Sequence, residues 1–241
     1  MIAILTDFGN SEYLGAMKGV IYSINENSRI IDLYNFVNHQ NIKEAAWILY
    51  NNYKYFPKNT IFLCVVDPGV GSNRQCLAIK TKNYFFVGPD NGLMHKAVAE
   101  DKSVAAVRLN AKNSSMTFHG RDVFAKAAAM LEKGTKIELL GEKASIKTEL
   151  DFHLKGREGE ITRIDNFGNI ITNLSSLDKN SYRVKAENFN KKLDFYKNYE
   201  PAPQNKLFLV KGSSDTLEIS VKNSSASKKS RLKIGDRVEI S

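Results

Sequence analysis

Cysteine is scarce in this chain of 241 residues: there are two, Cys64 inside an apolar run and Cys76 at the start of another. They form neither a CxxC nor a zinc-ligand spacing, so a reduced, cytosolic (cytoplasmic) protein is expected. Long hydrophobic runs are also missing. No apolar stretch approaches ~18 residues, so no transmembrane helix and no membrane partner are expected. The opening MIAILTDFG reads as a strand, not as a basic segment followed by a signal-peptide core. The GxxxxGK[ST] and GxGxxG patterns are absent, which argues against a nucleotide kinase and a classical dinucleotide site. His39, His95 and His153 share no metal-ligand spacing, so no metal site is expected. There is no internal repeat and no long low-complexity segment.

Acidic residues are outnumbered. The formal net charge is +9, of which residues 151–241, with 17 Lys+Arg and 12 Asp+Glu, carry +5. The excess is spread along the chain instead of forming a tail. The densest group, Lys228, Lys229, Arg231 and Lys233, sits among serines and reads as a solvated loop. No aromatic-plus-basic stripe accompanies it, so nucleic acid is not the expected partner.

The first part of the chain alternates strand and helix patterns. Strands are expected at 2–5, 30–33 and 60–66, the last apolar enough to be covered on both faces. A hairpin is expected from 77–81 and 84–87. Helices are expected at 13–24, where Leu14, Met17, Ile21 and Ile24 share a face, and at 41–53, 92–99 and 122–132. This is an α/β layered pattern. After residue 155 helical periodicity nearly vanishes and short strands follow at 159–164, 170–173, 182–186, 206–210, 217–221 and 237–240. The expected organisation is an α/β N-terminal domain over 1–155, with a central sheet flanked by helices, and a small all-β barrel over 156–241.

Three segments carry polar groups that packing does not ask for: VVDPGVGSNR (65–74), TFHGRD (117–122) and IDNFGNIITN (164–173). Asp67, Arg74 and His119 form a candidate carboxylate–guanidinium–imidazole cluster able to hold and polarise water; the plainer reading is a turn with a surface ion pair and a structural histidine. Asp7, at the end of the first strand, is either a ribose-hydroxyl acceptor at the ligand-binding edge of the sheet or a turn or helix-cap carboxylate. Asp165 offers a carboxylate for an ammonium, Phe167 a ring for stacking and Asn169 an amide for a base edge; Asn166–Gly168 also reads as a hairpin turn. The turn at Gly212-Ser213-Ser214 offers hydroxyls and backbone N–H groups to a carboxylate.

TDFG with a following MKGVI, FP before an apolar strand, VVDPGVG with a downstream Arg, PDNG, TFHGRD and IDNFGNIITN occur in one order over nearly the whole chain. That series resembles the SAM hydroxide adenosyltransferase family, relatives of the fluorinases and chlorinases. The resemblance implies hydrolysis of S-adenosyl-L-methionine (SAM) to adenosine and L-methionine, with SAM as the substrate and no cofactor. It implies a homotrimer whose active site lies at the subunit interface, between one subunit's N-terminal domain and its neighbour's barrel. Asp67, Arg74 and His119 match the water-activating triad and Asp7 the ribose-binding acid. Asp165 matches the methionine-amine contact, Phe167 and Asn169 the adenine contacts, and Ser213 a methionine-carboxylate contact. Gln40 and Ser214 stand where the fluorinases have a Trp and an Arg. Two other readings stand beside this one: a SAM-dependent halogenase, disfavoured by Asp67 and His119, and a non-catalytic SAM or adenosine sensor, disfavoured by the intact triad.

Overall fold

The computed structural model describes residues 1–241, which divide into two compact units, Met1–Leu150 and Asp151–Ser241. The sequence placed the division at 155/156.

The first unit is built on strands that bury both faces. In β1 (Ile2–Thr6) every residue is buried. Because side chains alternate along a strand, Ile2 and Ile4 join one apolar core and Ala3 and Leu5 another. The first core is completed by Leu14, Met17 and Ile21 of α1 (Glu12–Ile24). The second receives Ala45, Ile48 and Leu49 of α2 (Ile42–Asn52). Helix α2 is capped at its start: Asn41 accepts from the Glu44 N–H at 3.0 Å, and the Glu44 carboxylate holds the preceding turn by accepting from the Asn38 N–H at 2.9 Å. Next come β2 (Ile30–Tyr34), β3 (Ile61–Val65), β4 (Cys76–Thr81), β5 (Phe85–Pro89), α3 (His95–Asp101), β6 (Ser103–Leu109), α4 (Ala125–Glu132) and β7 (Gly141–Lys143).

The sheet runs β2-β1-β3-β5-β4-β6-β7. β1 pairs in parallel with β2 and β3, and β3 with β5. β4 turns back antiparallel to β5, as the expected hairpin requires, and β6 and β7 continue antiparallel. The ends of β1 and β3 and the start of β4 therefore lie on one edge. β6 is not expected from the sequence: its Ala105-Ala106 centre has little strand propensity, and pairing with β4 supplies what the local sequence lacks. Ahead of α4, residues Gly120–Phe124 wind as a π-helix, so the helix expected from 122 begins earlier and wider. Such insertions concentrate at functional sites.

The second unit is a closed seven-stranded barrel, in the order β10-β11-β12-β13-β9-β8-β14. The strands are β8 (Glu158–Ile164), β9 (Ile170–Ser175), β10 (Ser181–Ala186), β11 (Phe189–Tyr196), β12 (Leu207–Lys211), β13 (Thr216–Val221) and β14 (Arg237–Ile240). Inward-facing Ile161, Ile170, Tyr182, Val184, Leu209 and Ile219 fill it. Closure removes the exposed edges an open sheet would carry. β11 was not expected, since Lys191-Lys192 interrupts its apolar alternation; pairing with β10 along six residue pairs holds it. The serine- and lysine-rich segment forms a short helix, α5 (Ala226–Ser230), capped by Ser225, where the sequence suggested a loop. No helix is long and apolar enough to cross a membrane.

Candidate functional site

Asp67 leaves the end of β3 into two successive turns, Val70 N–H to Asp67 C=O at 3.2 Å and Ser72 N–H to Gly69 C=O at 3.1 Å. These reverse the chain, so that Arg74, seven residues on, returns to the carboxylate. Arg74 Nε donates to Asp67 Oδ1 at 2.8 Å and Nη2 donates to Oδ2, a bidentate pair. Both side chains are almost wholly buried, at 9% and 5% exposure. This is a different object from the surface ion pair that the plainer reading of the sequence allowed.

His119 reaches the same guanidinium from the start of the π-helix. Gly120 permits the approach: a Cβ there would press within 3.2–3.3 Å of Met17, Phe118 and Val65 of β3. His119 Nδ1 lies 2.9 Å from Arg74 Nη2. Arginine only donates, so Nδ1 accepts, and the neutral ring carries its proton on Nε2. Burial, followed by the neighbouring Arg74 cation, holds His119 below the usual imidazole range, against the opposing pull of Asp67 and Asp122. The ring is therefore neutral near pH 7. Burial acts against the charge on Arg74, but its hydrogen bonds to Asp67 outweigh this and raise its pKa. The structure thus brings together the three residues singled out as a catalytic cluster. Arg121, by contrast, pairs locally with Asp122 at 2.7 Å.

Asp7 follows β1 on the same edge, one strand from Asp67. Its Oδ2 accepts the Gln40 N–H at 2.8 Å, which anchors the loop carrying Gln40. The helix-cap alternative is not what forms: Ser11 stands at the start of α1. Phe8, Tyr13 and Phe118 make mutual ring contacts at centroid distances of 5.3–6.0 Å, Phe118 edge-on to the other two. The only signal for this trio in the sequence is that Phe8 adjoins Asp7 and Phe118 adjoins His119.

In the barrel, Asp165, Phe167, Asn169 and Ser213 all line one cavity of about 1240 Å³. Asp165 Oδ1 accepts the N–H groups of Phe167 and Asn169, each at 2.9 Å, and Oδ2 accepts Asn169 Nδ2 at 3.0 Å. The carboxylate therefore shapes the turn that the sequence favours and also lines the cavity. Gly168 (φ +82°) closes the turn against Ser225, where a side chain has no room. Phe167 stands 80% exposed, its ring unpacked. The cavity also exposes two groups that the sequence did not flag, Glu218 and Tyr199. Glu218 is buried, accepts from the Tyr199 hydroxyl at 3.3 Å, and is raised above the usual carboxylate range by burial and then by the charge of Asp165. A Glu inside an alternating strand gives little signal: Glu218 lies between the core residues Leu217 and Ile219, on the face of β13 opposite the barrel interior. No group of three or more His, Cys, Asp and Glu side chains is placed to hold a metal ion.

Comparison with known proteins gives a consistent result. Residues 2–141 match the family model for the SAM hydroxide adenosyltransferase N-terminal domain, and residues 159–239 that for the C-terminal domain. A protein of Methanocaldococcus jannaschii named (R)-S-adenosyl-L-methionine hydrolase is 35% identical over 100% of this chain and 95% of its own length. One of the same name from Thermus thermophilus is 31% identical over 99% and 98%. The crystal structure of an uncharacterized conserved protein from Thermotoga maritima superposes with a TM-score of 0.93 at 34% identity, covering all of both chains.

The depressed His119 pKa has a consequence for stability. Between the folded and the ordinary imidazole pKa the unfolded chain binds more protons, so His119 makes folding less favourable as pH falls below ~6.5 and not above it. Denaturant midpoints measured from pH 8 downward are expected to fall less steeply below that value in His119→Gln than in the wild type. Parallel profiles would contradict the assignment.

Proposed function

The chain belongs to the SAM hydroxide adenosyltransferase family, and on that premise we propose that it hydrolyses S-adenosyl-L-methionine, as the (R)-sulfonium epimer named for its relatives, to adenosine and L-methionine. The observation that carries this reading is the buried Asp67–Arg74–His119 cluster. A sulfonium is already a good leaving group and needs no acid; what the reaction lacks is a nucleophile held in line with C5′. His119 Nε2–H donates to the water oxygen and a free lone pair of Asp67 accepts one water proton. Arg74 fixes both partners from behind. As the C5′–O bond forms, the C5′–S bond breaks and its electron pair stays on sulfur. Methionine leaves as a neutral thioether; one proton of the attacking water stays on the new 5′-hydroxyl, and the other passes to Asp67 and on to solvent. A halide nucleophile would be repelled by the Asp67 carboxylate, which disfavours the halogenase reading.

In this reading Asp7 takes the ribose hydroxyls, Phe167 and Asn169 the adenine, Asp165 the methionine ammonium and Ser213 its carboxylate. Glu218 adds a second acid beside Asp165 for the cationic end of the substrate. The candidate groups are divided between the α/β unit and the barrel. We propose that three copies assemble so that one copy's cluster and its neighbour's barrel cavity enclose one substrate, with no cofactor. Two unpaired cysteines fit a reducing, cytoplasmic setting.

Chromatographic detection of adenosine released from SAM tests the activity; no adenosine, or chloride-dependent 5′-chloroadenosine as the main product, would overturn it. His119→Ala and Asp67→Asn are each expected to lower turnover by about 10²–10⁴-fold while SAM affinity changes little. Wild-type turnover in both would leave the sensor reading as the better one. For the assembly, Asp67→Asn and Asp165→Ala chains co-expressed in equal amounts are expected to recover activity in roughly a quarter of all sites, about one site in each mixed trimer, as random pairing of two half-sites gives. No recovery in oligomers shown to be mixed would place each site within a single chain.

A further inference from the structure

Cys76 opens β4 two residues after Arg74, and neither its position nor its residue type suggested chemistry. Its Sγ lies 2.9 Å from Arg74 Nη1 and 3.7 Å from His119 Nδ1. It is 3% exposed, and its nearest polar neighbours are two members of the cluster. Cys64, the other cysteine, is 0% exposed in the apolar core on the opposite face of the sheet, with Phe62 and Val66.

Resting on the reading of that cluster as catalytic, we propose that Cys76 is a positioning residue for it: the thiol accepts from Arg74 Nη1, and its S–H forms the longer, weaker arm of a contact at His119 Nδ1 shared with Arg74 Nη2–H, fixing the guanidinium between Asp67 and the imidazole. Without it the guanidinium is held by Nε and Nη2 to Asp67 and by Nη2 to His119, and the Nη1 corner is left unfastened. With it, the Nη1 corner is fastened as well. The thiol suits this place because it both accepts and donates weakly. A carboxylate here would compete with Asp67 for Arg74, and an alanine would leave Nη1 facing a gap. Burial pushes the thiol pKa up against the opposing pull of Arg74, so the S–H is retained. The groups acting on His119 are then Arg74, Asp67, Asp122 and Cys76. Losing the S–H donor and loosening Arg74 both remove contacts that favour the neutral ring, so the imidazole pKa should rise.

Three variants separate positioning from packing. Cys76→Ala is expected to lower kcat about tenfold with KM for SAM unchanged, and to move the acidic limb of the kcat–pH profile upward. Cys76→Ser, which keeps a donor and an acceptor, is expected to restore most of both. Cys64→Ala is expected to lower Tm alone. The ring itself is followed by ¹⁵N NMR of the imidazoles, which needs no turnover: His119 is expected as the Nε2–H tautomer in the wild type and to titrate at higher pH in Cys76→Ala. A Cys76→Ala protein with wild-type kcat, pH profile and His119 titration would overturn the proposal, whatever its Tm. If the wild type releases no adenosine but the His119 titration shifts as described, the positioning stands and the hydrolase reading fails.

Discussion

A single guanidinium organises the candidate site. Arg74 spends its Nε and Nη2 donors on Asp67, shares Nη2 with His119 and turns Nη1 to Cys76. It also lies over the Phe124 ring, 5.5 Å from its centroid. Nearly all of the Asp67–Arg74 pair is out of water. A buried pair of this kind contributes little net stability, but removing one partner strands the other and costs about 3–5 kcal/mol. That asymmetry makes the cluster rigid: no member can swing away without leaving an uncompensated charge. A rigid, neutral imidazole beside a fixed carboxylate is what orienting one water molecule requires, and preorganised groups do not have to reorganise during the reaction.

The fold supplies this geometry through strand direction. β1 and β3 run in parallel and deliver Asp7 and Asp67 to one edge; β4 runs back, so its approach carries Arg74 to the same edge. The π-helix at Gly120–Phe124 brings His119 in from the first core's face. The barrel contributes a cavity that is acidic at its floor, with Asp165 and Glu218, and aromatic at its rim, with Phe167. Those properties suit a ligand carrying a cationic amine or sulfonium and a flat heterocycle.

Much of this was legible in the sequence because the relevant signals are local. Continuous apolar runs such as Ile61–Val65 announce strands covered on both faces, and the helical spacing of Leu14, Met17 and Ile21 announces the face that covers one of them. Asp67, Arg74 and His119 stood out as polar residues at glycine-rich strand ends. What escaped depends on partners distant in sequence. β6 is a strand because β4 lies beside it. Cys76 meets the cluster because His119 is brought to its side from the start of the π-helix, 43 residues on. Glu218 faces a cavity only because the barrel closes with that register. The serine- and lysine-rich segment forms a helix that Ser225 caps and that the Ser227 N–H ties to the Gly168 C=O at 3.0 Å, a bond that no short window contains.

The central claim is that the cluster delivers water to C5′ of a sulfonium. It is tested most directly by incubating the wild-type protein with SAM in oxygen-18 water and measuring the mass of the adenosine released. The account predicts one heavy oxygen, located by fragmentation in the 5′-hydroxyl of the ribose. Adenosine carrying only ordinary oxygen would contradict it.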